Sequence, residues 1–246
     1  MRYKVIVAYN GAHYYGWQTQ HRGDSVEEAI EAVLSGMHRH EVEIVASGRT
    51  DAKVHAIGQV FHFDSDLDIT CDAMKVALNS QLPKDIRIKV VERVKADFHA
   101  RFDAVSKRYD YYLSKDFQNP FIEDFMLRYG GNLDLANMRK SASVFLGQHD
   151  FTSFTSARID ERKNRVRTIA RFDILEEGDT LHFILEGDGF LRYMVRMLVQ
   201  TVIEVGKNKI TWEEVKGMLD GKSKHLCKYK AIPQGLYLVE VKYKDE

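Results

Sequence analysis

The sequence predicts an α+β fold of two successive βαββαβ halves that share a mostly antiparallel sheet. Several short segments alternate apolar and polar residues, which is typical of strands, and longer segments carry apolar residues at helical spacing. These segments follow the same order in both halves of the chain, and no Pro/Ser-rich linker separates the halves. We therefore predict an N-terminal half at residues 1–104 and a C-terminal half at 105–246.

The first half is predicted to run strand, helix, strand, strand, helix, strand. Residues 3–9 alternate as a strand, and the Asn10-Gly11 turn follows. Ser25 with Glu28 three residues later is typical of a capping box that opens a helix. The remaining predicted elements are strands at 43–46 and 59–63, a helix at 72–78 and a strand at 86–91.

The second half is predicted to repeat this order, which is that of ferredoxin-like and RRM-like domains. Such domains place helices on one face of the sheet, and an open sheet face is one way to hold RNA. The predicted elements are a strand at 105–113, a helix at 135–145, strands at 169–175 and 181–186, a long helix at 191–205 and a strand at 236–243.

Composition and charge are those of an ordinary globular protein, with 44% apolar and 29% charged residues. Lys+Arg and Asp+Glu are both 36, so a nucleic-acid ligand would require cations gathered on one face. Two runs of basic residues are candidates for such a face: Arg158, Arg162, Lys163, Arg165, Arg167 and Arg171; and Lys222, Lys224, His225, Lys228 and Lys230. Basic runs are, however, more often solvated faces than RNA contacts.

Location and metal binding are constrained by what the sequence contains. Cys71 and Cys227 lie far apart, which indicates a reducing compartment without a disulfide framework. The opening residues lack a signal-peptide pattern and no run of 18 apolar residues occurs, so we expect a cytoplasmic protein without a membrane span. His38 and His40 lack the partners of a metal motif.

The polar segment from Ser47 to Ala56 stands between two apolar strands. One interpretation is a plain turn, because Gly, Thr and Asp favour turns. The other is a loop that presents the carboxylate of Asp51 beside Arg49 and Lys53, whose charges would keep it ionised and nucleophilic.

This segment and six others resemble the tRNA pseudouridine synthase A family, and they occur in family order over residues 9–238. Against that pattern, Ser25-Val26-Glu27 replaces a usual Thr-Val-Gln, Met197 and Gln200 replace Asn and Gly, and residues 230–233 depart from Thr-Ala-Pro. The matching blocks are Gly48-Arg49-Thr50-Asp51-Ala52-x-Val54-His55-Ala56; Tyr9-Asn10-Gly11 through Gly16-Trp17-Gln18-x-Gln20; Asn79-x-x-Leu82-Pro83-x-Asp85-Ile86; Phe98-His99-Ala100-Arg101-Phe102 with Lys107-Arg108-Tyr109-x-Tyr111; Gly147-x-His149-Asp150-Phe151-x-Ser153-Phe154; Phe190-Leu191-x-x-Met194-Val195-Arg196; and Gly235-Leu236-Tyr237-Leu238.

The resemblance implies an enzyme that isomerises uridine to pseudouridine in the anticodon stem-loop of tRNA, at positions 38 to 40. It implies a homodimer that needs no cofactor or metal. Asp51 matches the catalytic carboxylate, Tyr109 the active-site tyrosine that could stack on the base, and Arg196 an arginine that orients Asp51. Arg49 could replace the flipped base or hold a phosphate.

Ordinary structural roles compete with each of these assignments. By position alone, Tyr109 would be a core aromatic of the sheet, and Arg196 a solvated helix arginine. Trp17 and Phe154 are more often packing residues than base platforms. Two other functions stay open from the residues: an RNA-binding module without activity, and a metal-dependent nuclease, which the missing carboxylate cluster disfavours. The sequence does not choose between attack by Asp51 on uracil C6 and on ribose C1′.

Overall fold

The computed structural model describes residues 1–19, 24–156 and 164–244, and it has a mixed α+β architecture with mostly antiparallel strand pairing. The chain forms two compact units, one of residues 1–105 with 237–246 and one of residues 106–236. Among the helices of the described residues, none is long and apolar enough to cross a bilayer.

The first unit is built on strand β1, which pairs antiparallel with β3 on one side and with β4 on the other. The short strand β2 pairs antiparallel with β3, and the last strand, β10, pairs with β3 in parallel. The sequence predicts this last strand as part of the C-terminal half, but its pairing with β3 brings residues 237–243 into the first unit. The elements are β1 (Arg2–Tyr9), α1 (Val26–His38), β2 (Val45–Ala46), β3 (His55–Asp64), α2 (Cys71–Gln81), β4 (Ile86–Val94) and β10 (Leu236–Tyr243).

Local sequence explains why the helices of this unit begin where they do. Ser25 accepts a hydrogen bond from the Glu28 backbone at the start of α1, and Thr70 does the same for Ala73 at the start of α2. Each helix buries a stripe of apolar residues spaced four apart: Val26, Ile30 and Leu34 in α1, and Met74 and Leu78 in α2.

The second unit is an antiparallel sheet in the order β5-β9-β8-β7, to which β6 adds in parallel along β5. Helix α3 packs on α4, on α5 and on β8. The elements are β5 (Ala104–Ser114), β6 (Leu127–Arg128), α3 (Leu135–Ser143), β7 (Gly147–Asp150), β8 (Val166–Glu177), β9 (Thr180–Gly187), α4 (Met194–Gly206) and α5 (Trp212–Asp220).

Helix α4 is more deeply buried than a helix with a single apolar face would be. Every described residue from Met194 to Gly206 except Gln200 is buried, so the helix is enclosed on nearly all sides. Arg196 is only 8% exposed, and the interpretation of this residue as a solvated helix arginine is therefore wrong.

Candidate active site

The loop that carries Asp51 begins at a buried polar clamp. Ser47 is fully buried, and its hydroxyl donates to Gln59 Oε1 at 2.8 Å. The Gln59 amide in turn donates from Nε2 to the Gly48 carbonyl at 2.9 Å. Both contacts tie the loop to β3, so the backbone just before Arg49 has a fixed position.

The same loop lies on the segment that follows β1. The Trp17 amide donates to the Thr50 carbonyl at 3.2 Å, and the Lys53 amide donates to the Tyr14 carbonyl at 3.1 Å. The hydroxyls of Tyr9 and Thr50 are hydrogen-bonded at 2.8 Å. These contacts bracket Asp51 on both sides, and its side chain is half-buried.

Gly16 allows this close approach. Its φ is +103°, a conformation that L-residues rarely adopt, and an added Cβ would stand 2.7 Å from the Thr50 carbonyl oxygen. A glycine is required here because any side chain would meet the backbone of the Asp51 loop.

A second set of hydrogen bonds holds the segment after β1, on which the Asp51 loop lies. The Gly11 amide donates to His55 Nδ1 at 3.1 Å, and the Tyr14 hydroxyl donates to Asp85 Oδ1 at 2.8 Å. Burial, then the bond to Asp85, raises the pKa of Tyr14 and keeps its hydroxyl protonated as the donor. Three sequence blocks that lie far apart in the chain, around residues 9–17, 48–56 and 79–86, therefore meet at one place in the first unit.

Sequence reasoning did not single out Tyr14 or Gly16 as residues that position Asp51. The available signal was their place in the opening block, between Asn10-Gly11 and Trp17. Sequence alone does not reveal the contact because Gly16 and Thr50 come together only in the folded chain.

Arg49 and Lys53 flank Asp51 in the loop. Arg49 and Lys53 are both exposed, and neither forms an ion pair with any residue that the structure describes. Lys53 has a positive φ of 65°, which turns the chain toward β3. Backbone hydrogen bonds and the close approach of Gly16 hold the loop in place.

Tyr109 lies in the second unit on β5, opposite Leu185 of β9. Its ring meets Phe190 edge-on, with centroids 5.2 Å apart and planes at 82°. Tyr111, two residues further on the same strand face, is fully buried, whereas Tyr109 is half-buried. The ring of Tyr109 is thus held at the margin of the core.

A buried charge network fixes the strand on both sides of Tyr109. Arg108 donates two hydrogen bonds of 2.8 Å to Asp110, from Nε to Oδ1 and from Nη2 to Oδ2, and His182 Nε2 lies 2.8 Å from the same Oδ2. Asp110 is 2% exposed. A bidentate pair inside the fold has defined geometry, so the strand that presents Tyr109 is rigid at this point.

Arg196 also lies in the second unit, on the first turn of α4. Its Nε donates to the Ala231 carbonyl at 2.8 Å, and the Ala231 amide donates to the Arg196 carbonyl at 3.0 Å. The guanidinium carbon is 5.4 Å from the centre of the Tyr193 ring. The burial of Tyr111 raises its pKa, and the nearby Arg196 charge opposes that rise.

Trp17, Phe154 and His38 have structural roles in the folded chain. Trp17 and Phe154 are fully buried, so their interpretation as packing residues is confirmed. Trp17 Nε1 donates a hydrogen bond to Glu27, and the second carboxylate oxygen of Glu27 accepts one from the Thr19 amide. Glu27, which stands where the family usually has Gln, therefore has a structural role. His38 bonds to the Leu34 carbonyl and the Ser65 hydroxyl.

Some assignments fall outside the residues that the structure describes. Gln20 of the opening block lies there, as do Arg158, Arg162 and Lys163 of the first basic run. Among the described residues, no group of three or more His, Cys, Asp or Glu side chains could hold a metal ion.

Comparisons with known proteins cover nearly the whole chain. A family model described as tRNA pseudouridine synthase matches residues 5–103 and 142–244. The tRNA pseudouridine synthase A of an Exiguobacterium species is 44% identical over 242 residues, which are 98% of this chain and 98% of that protein. Proteins of the same name from Listeria welshimeri and Lysinibacillus sphaericus are 44% and 42% identical, over 98% of this chain and 99% of their own length.

A chain in the crystal structure of a Cbf5-Nop10-Gar1 complex is similar over 98% of this chain and 50% of its own, with 12% identity and a TM-score of 0.46. The family match and the relatives, each spanning most of the chain, establish that this chain belongs to the tRNA pseudouridine synthase family, whose members are isomerases that convert uridine to pseudouridine in tRNA.

Proposed function

We propose that this enzyme modifies positions 38 to 40 in the anticodon stem-loop of tRNA and that Asp51 is its nucleophile. The observation that carries the proposal is the construction of the Asp51 loop. Two layers of hydrogen bonds and a glycine contact fix the loop backbone, although Asp51 itself stays half-buried. A plain surface turn needs no such support.

The reaction moves one bond and leaves the atoms of the nucleotide unchanged. The N1–C1′ bond of uridine breaks, the uracil turns, C5 bonds to C1′, C5 loses a proton and N1 gains one. A covalent adduct of a carboxylate would hold one fragment in place while the other turns. Attack on C6 and attack on C1′ are both compatible with this role for Asp51.

We assign the remaining roles from the family motifs. Tyr109 stacks on the uracil after it leaves the stem, and Phe190, which meets its ring edge-on, orients it. Arg196 orients the Asp51 carboxylate, since a guanidinium matches a carboxylate in a bidentate pair. Arg49 is exposed, as a residue that meets a phosphate or fills the gap in the stem must be.

Further parts of the proposal concern architecture and setting. We propose ferredoxin-like halves that form one active-site cleft, and a homodimer as in the family. Cys71 and Cys227 are both free thiols, which supports a reducing, cytoplasmic setting.

The test is to map pseudouridine in defined tRNA transcripts. Three transcripts of one tRNA each carry a uridine at only one of positions 38, 39 and 40, and a matched control transcript carries cytidine at all three positions. We expect pseudouridine only at the uridine placed at position 38, 39 or 40. Product elsewhere, or in the cytidine transcript, would refute the assigned site. A wild-type protein that binds every transcript and modifies none would be an RNA-binding module without activity.

A further inference from the structure

The ring of Tyr193 has three cationic groups around it. Lys230 Nζ lies 4.4 Å from the ring centre, the Arg192 guanidinium 4.8 Å and the Arg196 guanidinium 5.4 Å. Arg192 Nη2 also donates to the Tyr193 hydroxyl at 3.0 Å. We call Arg192, Tyr193 and Lys230, with the adjacent Lys228, the Tyr193 cluster.

The backbone is arranged so that these groups converge. Tyr193 has a φ of 67°, which is unusual for a bulky residue and which turns the chain sharply into α4. The Arg192 carbonyl accepts from the Ser156 amide at 3.1 Å, so that side of the turn is anchored. The paired hydrogen bonds between Arg196 and Ala231 hold the neighbouring segment, which places Lys230 over the ring.

The charges of the cluster are not neutralised within the described part of the chain. Arg192, Lys228 and Lys230 are exposed, and none of them forms an ion pair with a described residue. Other surface lysines of this unit, such as Lys216, pair with a carboxylate. An aromatic face attracts each cation singly but does not remove the repulsion among them.

An anion would relieve this repulsion. The cluster also stands at the N-terminus of α4, the helix end that favours negative charge. From these contacts we infer that the Tyr193 cluster binds phosphodiester groups of the tRNA backbone. Arg192 and Lys230 supply the two direct contacts, and Tyr193 holds both side chains in place. This inference rests on the tRNA-modifying function and extends it with a contact for the RNA backbone.

The assignment selects one of the two basic runs that the sequence offers. Lys228 and Lys230 come from the run at residues 222–230, and the fold adds Arg192, which belongs to neither run. Among the described members of the other run, Arg167 donates to the carbonyls of Asn164 and Val166 beside it.

The experiment measures tRNA binding against salt for the full chain and for the Arg192→Gln/Lys230→Gln variant. Each lost phosphate contact lowers the magnitude of the log K against log[salt] slope by about one. We expect the slope to fall by about two and the Kd at ~0.1 M salt to rise by at least ~10-fold. The matched control, Lys140→Gln/Lys216→Gln, removes two positive charges from α3 and α5 of the same unit.

Two comparisons make the result decisive. The charge-preserving variant Arg192→Lys/Lys230→Arg should retain most of the slope, and thermal unfolding verifies that every variant is folded. An unchanged slope in the folded Gln variant, or an equal loss in the control, would overturn the inference. A wild type that binds tRNA but leaves positions 38 to 40 unmodified would refute the proposed function instead and leave the slope comparison standing.

Discussion

Gly16→Ala should displace the Asp51 loop, because the added methyl group meets the loop backbone. The new Cβ would lie 2.7 Å from the Thr50 carbonyl oxygen and 3.1 Å from the Asp51 carbonyl carbon, whereas ordinary contacts begin at 3.4 Å. The oxygen must therefore retreat by about 0.7 Å, which also stretches its 3.2 Å hydrogen bond from the Trp17 amide. The loop backbone on either side of Asp51 has to follow.

Two magnitudes follow from this displacement. Holding a residue other than glycine at a φ of +103° costs on the order of 1–3 kcal/mol, so the free energy of unfolding should drop by that amount. Misplacing a reacting group by about 1 Å can cost ~100-fold in rate. For the smaller shift here, we expect a single-turnover rate constant reduced about 10- to 100-fold, with tRNA affinity nearly unchanged.

The assay is pseudouridine formation with saturating enzyme, alongside urea unfolding and tRNA binding. Gly36→Ala is the matched control, because Gly36 lies inside α1 and an added Cβ there meets nothing within 4 Å. The control should gain up to ~1 kcal/mol of stability from helix propensity and keep the wild-type rate. If Gly16→Ala is folded and equally fast, the contact with the loop does not position Asp51.

Two further predictions concern Tyr109 and His62. If the Tyr109 ring suffices for stacking, Tyr109→Phe should keep near wild-type turnover while Tyr109→Leu is inactive; loss of turnover in both folded variants would give the hydroxyl a chemical role. Burial lowers the pKa of His62 from 6.5 to about 4, and its Nδ1 accepts from the Ala100 amide, so folding favours the neutral ring. The free energy of unfolding should therefore fall by up to roughly 3 kcal/mol as pH drops from about 6.5 to about 4, because the unfolded chain takes up the proton first. Urea unfolding between pH 4 and 7 measures this fall; His62→Gln should flatten it and exposed His40→Gln should not, and equal slopes in all three proteins would contradict the assignment.

Much of the first unit could be predicted from sequence because local signals agree with the fold. Ser25 and the apolar stripe of α1 define its start and its buried face. Helix α5, which our sequence prediction lacks, carries the same kind of signal: Thr211 and Glu214 form a complete capping box at its start. Ser25, in contrast, provides only its own half of the box that we predicted.

The failures arise where tertiary packing overrides local pattern. Apolar residues at helical spacing predict a helix at α4, and the folded helix packs against both α3 and the Thr152–Phe154 turn. Arg196 is buried on this helix, where it contacts Ala231 and Tyr193. For the Asp51 loop, the sequence motif identifies the residues of the loop but not the hydrogen bonds that hold it. The bond between Tyr9 and Thr50 joins positions 41 residues apart, which no local spacing reveals.

The central claim is that the Asp51 carboxylate acts covalently, and Asp51→Asn tests it most directly. Asn keeps nearly the same size but removes the charge and the nucleophile, so single-turnover pseudouridine formation should fall by several orders of magnitude. Folding and tRNA binding should persist, and the exposed carboxylate variant Asp68→Asn should keep full activity. A purified, folded Asp51→Asn enzyme that retains more than a few per cent of the wild-type rate constant would contradict the claim.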